Sequence, residues 1–258
     1  MDNLNHATRS GANIPYKTAL AVSATSTFDN CNLDRSATHA GHTVENLGLQ
    51  IVVDHPRPTG DIIFVHDLGG HPWKTWSWDR DIANFWPRWL ADVGALSAWR
   101  IFTFGYDSSW RGAGANLNIF DFAKDLLPQM LTLTNNAGTN VGPQKVIFVA
   151  HSMGGLVIKK AYLLGKQDDR FSDVVSMIYE MVFLGTPHRG AQSATTLHNI
   201  LSRLPIGPPP KPYVAELQLH SNTLHEINEQ FRHHCQGLAI VSFYETEKCK
   251  IGLKDALV

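Results

Sequence analysis

From Leu47 onward, short apolar runs recur at intervals filled by helical patterns. One begins at Leu47 (LGLQIVVDH); the others cover 62–65, 101–104, 146–150, 181–184 and 238–243. They are continuous in β-branched and aromatic residues rather than alternating, which predicts strands buried on both faces. Apolar periodicity predicts helices over 78–91, 119–132, 156–165 and 223–233. Strands alternating with helices imply a mostly parallel sheet with right-handed crossovers, an α/β architecture. The strands close on small or polar clusters such as HDLGG, GYDSS, HSMGG, GTPHRG and YETE. In open α/β sheets the chemistry gathers at those carboxyl ends.

Residues 1–45 lack this pattern and are rich in Asn, Ser, Thr, Ala and Gly, so they are expected to be a leader without a packed core, ahead of one α/β domain over 46–258. The proline-rich stretch 204–212 (LPIGPPPKP) interrupts the rhythm, as a stiff surface loop or as an inserted lid. With 43% hydrophobic residues a sizeable core is expected, and a net charge of −1 argues against a nucleic-acid partner or a polybasic membrane anchor. No apolar run approaches the length of a transmembrane helix. Cys31, Cys235 and Cys249 show no C-x-x-C spacing, so neither a disulfide framework nor a metal site is expected.

The segment VAHSMGG, residues 149–155, lies between a buried-strand pattern and the helical pattern LVIKKAYLL. A nucleophilic serine on a sharp strand-to-helix turn needs small residues two positions to either side. Ala150 and Gly154 satisfy that around Ser152, and the N–H of Met153 would serve as one oxyanion donor. The plain alternative is that Ser152 caps the helix, a role serine also favours. The loop His66-Asp67-Leu68-Gly69-Gly70 follows the 62–65 run, where α/β-hydrolases place the second oxyanion N–H, here that of Leu68. His66, Asp67 and Gly69 are the candidate substrate-binding positions of this loop.

Together, DIIFVHDLGGHPWKTW, VIFVAHSMGGLVIKKA and VFLGTPHRG resemble an α/β-hydrolase family of serine esterases and lipase-like proteins. That family is related to serine-active-site-containing proteins and GPI inositol deacylase-like proteins, and its fungal versions often precede NACHT, ankyrin or TPR regions. The resemblance runs from about Leu47 to the C-terminus. It implies hydrolysis of a carboxylic or lipid ester through an acyl-enzyme on Ser152, without metal or organic cofactor, and places the catalytic acid at Glu245, with Glu247 a nearby rival. For localisation the default is the cytoplasm, while relatives in mitochondria and the endoplasmic reticulum are implied by the resemblance.

Two departures stand out. Where the family has His-Gly-Leu-Gly-Gly, position 67 is Asp, a residue that tolerates the positive φ a glycine turn can require. A carboxylate ~5 Å from a developing oxyanion at an effective dielectric of ~20 costs ~3 kcal/mol, roughly a hundredfold in rate; pointed to solvent it costs far less. Second, the family histidine follows one further strand, which should begin at KIGLKDALV, and no histidine follows His234. The domain is therefore expected to lack its last strand and helix, with the base supplied from beyond Val258 or replaced by another of the 13 histidines. His188, in GTPHRG, is the substitute at the right edge of the sheet. His66 and His71 are expected to hold the oxyanion loop by hydrogen bonds, and His151 to be a packed residue.

Trp73, Trp76, Trp78, Trp86 and Trp89 form an aromatic cluster suited to core packing, or to an acyl-chain or partner surface. Lys159 and Lys160 suggest a solvated helix face, and GAGAN at 112–116 lacks the context of a phosphate loop. The rival to an esterase is a catalytically impaired module acting in recognition or signalling within a larger NACHT or repeat protein, with protein partners or downstream domains.

Overall fold

The computed structural model describes residues 47–108, 117–136, 145–188, 222–244, 248–251 and 254–257, with backbone alone at 134–136 and in the last two segments. The leader over 1–45, Glu245, the 112–116 glycines and the 204–212 prolines all lie outside these residues.

The expected strands form as β1 (Gly48–Val53), β2 (Gly60–Val65), β3 (Trp99–Gly105), β4 (Lys145–His151), β5 (Ile178–Leu184) and β6 (Ala239–Phe243). They make one six-stranded sheet in the order β1-β3-β2-β4-β5-β6. Only β1 runs antiparallel, against β3. Helices α1 (Ile119–Asn136), α2 (Gly154–Gln167), α3 (Ser172–Met177) and α4 (Asn222–His234) complete the α/β-hydrolase architecture. β2 is buried along its whole length, as its unbroken apolar run requires.

Two apolar clusters cover the faces of the sheet. One joins Ile63, Val65, Phe102 and Phe148 to the inner sides of α1, α2 and α4 through Leu126, Leu156, Val157 and Phe231. The other joins Ile62, Phe64 and Ile101 to Trp76 and Phe85. Across β2 and β3, Arg100 forks onto Asp61, with Nε and the terminal nitrogen donating at 2.7 and 2.8 Å to the two carboxylate oxygens.

Two expectations need correction. The predicted helix over 78–91 is a chain of 3₁₀ turns at Trp78–Arg80, Ile82–Asn84 and Trp86–Asp92. Positive φ at Asp79 and Arg80 breaks the backbone; the Asp81 side chain accepts from the Ala83 N–H, and Pro87 begins a new turn. The tryptophans here divide. Trp76 packs edge-on against Phe64 at 5.0 Å and Trp73 donates its ring N–H to Gln50, while Trp78 and Trp89 are 74% and 56% exposed. Lys159 is not solvated but only 4% exposed. Apart from these, Lys248–Ile251 pairs antiparallel with Lys254–Leu257 in a separate two-stranded sheet.

Replacing Arg100 by Met leaves the Asp61 carboxylate in a largely buried position without its guanidinium. The expected loss in urea unfolding is about 3 kcal/mol; a loss below about 1 kcal/mol would show that water already solvates the pair.

Candidate active site

Ser152 stands where β4 ends and α2 begins, with φ at +48°. A non-glycine residue in this region is strained by about 1–2 kcal/mol, so the surroundings must hold it there. They do so through backbone. The Ser152 N–H donates to the Leu184 carbonyl at 2.8 Å, fastening the turn to the end of β5. On the other side Gly154 abuts the end of β2: a Cβ there would lie 2.4 Å from the Val65 carbonyl oxygen and 2.5 Å from that of His66. Only glycine fits.

Helix α2 is capped at Met153, with no side-chain hydrogen bond. The Ser152 hydroxyl therefore does not serve as the cap that serine often provides. Among the described residues it has no hydrogen-bond partner, and the N–H groups of Met153 and Leu68 have none either. Met153 is fully buried and Leu68 nearly so.

The loop carrying Leu68 is built around His66. Its ring is completely buried and stacks on Tyr106 with centroids 4.2 Å apart. Nδ1–H donates to the Asp67 carbonyl at 2.9 Å, and Nε2 accepts from the Tyr106 N–H at 3.3 Å. The Tyr106 hydroxyl closes the circuit by donating to the His66 carbonyl at 2.6 Å. Those partners specify one neutral tautomer, because a proton on Nε2 would meet the Tyr106 N–H head-on. Burial pushes the His66 pKa down to about 4, with the contact to the Asp67 carbonyl opposing it. The positive φ of this loop falls at Gly69, at +64°, and not at Asp67.

Asp67 directs Oδ1 toward Thr75, whose Oγ1–H donates at 3.0 Å, and toward His151, whose Nδ1 lies 3.6 Å away. Thr75 Oγ1 in turn accepts from the His71 N–H, and His71 Nδ1 accepts from the Trp73 N–H at 3.2 Å. Burial pushes the Asp67 carboxyl up, but the contact with His151 and its charge outweigh that and hold it below its ordinary value.

His188 follows β5 and is already engaged. The Lys159 ammonium donates to Nδ1 at 2.8 Å and to Asn228 Oδ1 at 2.6 Å. The remaining ring N–H, on Nε2, faces Ser242 Oγ on β6 at 3.3 Å. Burial, then the Lys159 charge, push the His188 pKa down to about 4; burial pushes that of Lys159 down to about 8. Sequence reasoning missed this buried lysine. The signal lay in its helical spacing, since Leu156 and Leu163 flank it on the inner face of α2.

Residues 91–203, which include Ser152 and His188, match the profile of a family described as PGAP1-like alpha/beta domain. Protein SERAC1 of Danio rerio is 30% identical over 247 residues, covering 86% of this chain and 36% of that protein. Protein SERAC1 of Bos taurus is 28% identical over 254 residues, covering 84% and 37%. The chain thus spans little more than a third of the curated relatives it matches. Among solved structures, phospholipase PlaB from Legionella pneumophila in complex with thio-NAD is similar at a TM-score of 0.49 and 17% identity, over 71% of this chain and 37% of that one. The family profile and the SERAC1 relatives agree with the likeness that the motifs carry, to proteins with a PGAP1-like alpha/beta domain. No helix among the described residues is long and apolar enough to cross a membrane.

The His66 circuit has a consequence for stability. In the unfolded chain its imidazole takes a proton near pH 6.5, whereas the folded chain refuses one until about pH 4. Its contribution is complete above pH 6.5 and is lost as pH falls toward 4, by about 3 kcal/mol across that window. Nitrogen-15 NMR at pH 5.5 should show His66 as the neutral Nδ1–H tautomer; an imidazolium signal at that pH contradicts the circuit.

Proposed function

We propose that this chain is a serine hydrolase domain of esterase or lipase type, with Ser152 at a nucleophile elbow and carboxylic esters, lipid esters among them, as substrates. The observation that carries the reading is Ser152 itself: a positive φ, a hydroxyl committed to no cap, and the N–H groups of Met153 and Leu68, unpaired among the described residues. Strain of this kind at a strand-to-helix turn is what exposes a nucleophile at the carboxyl edge of such a sheet.

In the reaction, Ser152 Oγ bonds to the ester carbonyl carbon while its proton passes to a base. The carbonyl oxygen becomes an anion facing the Leu68 and Met153 N–H groups. Collapse of this adduct breaks the bond to the alcohol, which leaves with the proton. Water then adds to the acyl-serine and releases the carboxylic acid, returning a proton to Ser152. No step calls for a metal or an organic cofactor. Glu245 is the acid that would orient a histidine base. His188 suits support better than base chemistry: its Nδ1 lone pair is taken by Lys159 and its other nitrogen is turned to Ser242. His66 and Gly69 shape the loop beneath the substrate carbonyl.

A second reading is an impaired hydrolase fold working in recognition as part of a larger protein. It is favoured by the carboxylate of Asp67 beside the Leu68 N–H, and by the absence, among the described residues, of an imidazole bonded to Ser152.

Intact-mass analysis after treatment with a fluorophosphonate separates the two. Attack by Ser152 forms an Oγ–P bond and breaks the P–F bond, with fluoride and the serine proton leaving. A single adduct that vanishes in Ser152→Ala is expected; no adduct on folded protein would refute the hydrolase reading and support the second.

A further inference from the structure

Position 67 carries an anion where the loop must stabilise another. Its carboxylate is nevertheless not left to face the site alone. Thr75 Oγ1–H donates to Oδ1 at 3.0 Å, and the Thr75 hydroxyl is held in that role because its oxygen accepts from the His71 N–H. Opposite lies His151, the residue immediately before Ser152. Its Nδ1 is buried with no hydrogen-bond partner and stands 3.6 Å from Asp67 Oδ1, while the side chain as a whole is 32% exposed. Trp76 lies edge-on to the His151 ring, with centroids 6.4 Å apart, and helps fix it. A buried, unpaired ring nitrogen is expensive unless an ion or acceptor faces it, and the carboxylate does.

We propose that Asp67 and His151 are a charge-compensating pair across the oxyanion hole. The pair ties the loop after β2 to the turn after β4 and offsets the Asp67 charge at the oxygen of the tetrahedral adduct. Both are positioning residues, and the proposal rests on the reading of Ser152 as nucleophile. Its logic is that of paired groups in a weakly polar site: a carboxylate held by a donor and an imidazole repels a neighbouring anion less than one left unpaired. The glycine that the resembling family has at position 67 needs no such partner.

The test has two arms, both on the full chain. In the first, carbon-13 NMR follows the Asp67 carboxyl through its titration in the unmodified protein and in His151→Gln. The midpoint should rise in the variant; an unchanged midpoint overturns the pair. In the second, the rate constant of fluorophosphonate labelling at Ser152 is measured for the unmodified protein, H151Q, D67N and the double variant. H151Q should slow labelling roughly tenfold while Asp67 is present, and less than about twofold in the D67N background, where no carboxylate remains to be compensated. Equal slowing in both backgrounds overturns the proposal. His151→Asn, tested in the same two backgrounds, serves if H151Q does not fold. If no variant labels, the nucleophile reading fails and the catalytic role with it, while the first arm still reports whether the pair exists.

Discussion

The approach of two backbones, the turn after β4 against the end of β2, is the constraint on which the site depends. Gly154 lies so near the carbonyls of Val65 and His66 that a single added carbon would collide with both. That contact, with the Ser152 N–H bonded to Leu184, holds the serine in a conformation it would otherwise leave. Because β2, β4 and β5 are adjacent and parallel, and stay in register from Ile147 of β4 up to the turn, the sheet transmits its rigidity directly to it. The strain at one residue is thus borne by three strands.

Around that turn the protein places polar groups in two ways. His66 is taken wholly inside and given a donor and an acceptor that specify one neutral form. Lys159 is also buried, yet it remains a cation solvated by Asn228, His188 and the faces of Phe183 and Phe231. Through His188 it reaches Ser242 on β6, so one buried ammonium joins the helix after Ser152 to the edge strand β6 of the main sheet. The Gly185 N–H donating to the Phe243 carbonyl braces the same junction.

The strands are legible in the sequence because a run such as IIFV has no polar position to offer solvent, and burial on both faces follows. The turn at Ser152 is legible because small residues at 150 and 154 have no other evident purpose between a strand and a helix. Over 78–91 the apolar spacing suits a helix, but local side-chain and proline chemistry decides otherwise: Asp81 caps its own turn and Pro87 starts another. Lys159 reads as a surface residue because a charge is ordinarily placed outside, and only tertiary contacts with Asn228 and His188 make its burial tolerable. The partners of Asp67 are equally hidden, since Thr75 lies eight residues on and His151 on another strand.

On the proposed function, the Ser152 turn and the Leu68 loop together form a site for an oxyanion. A crystal structure of the chain after reaction with a small fluorophosphonate tests it most directly. Phosphorus is expected bonded to Ser152 Oγ, with its non-bridging oxygen within about 3 Å of both the Leu68 and Met153 nitrogens. Phosphorus on Ser152 with that oxygen turned away from both nitrogens, toward solvent, would contradict it.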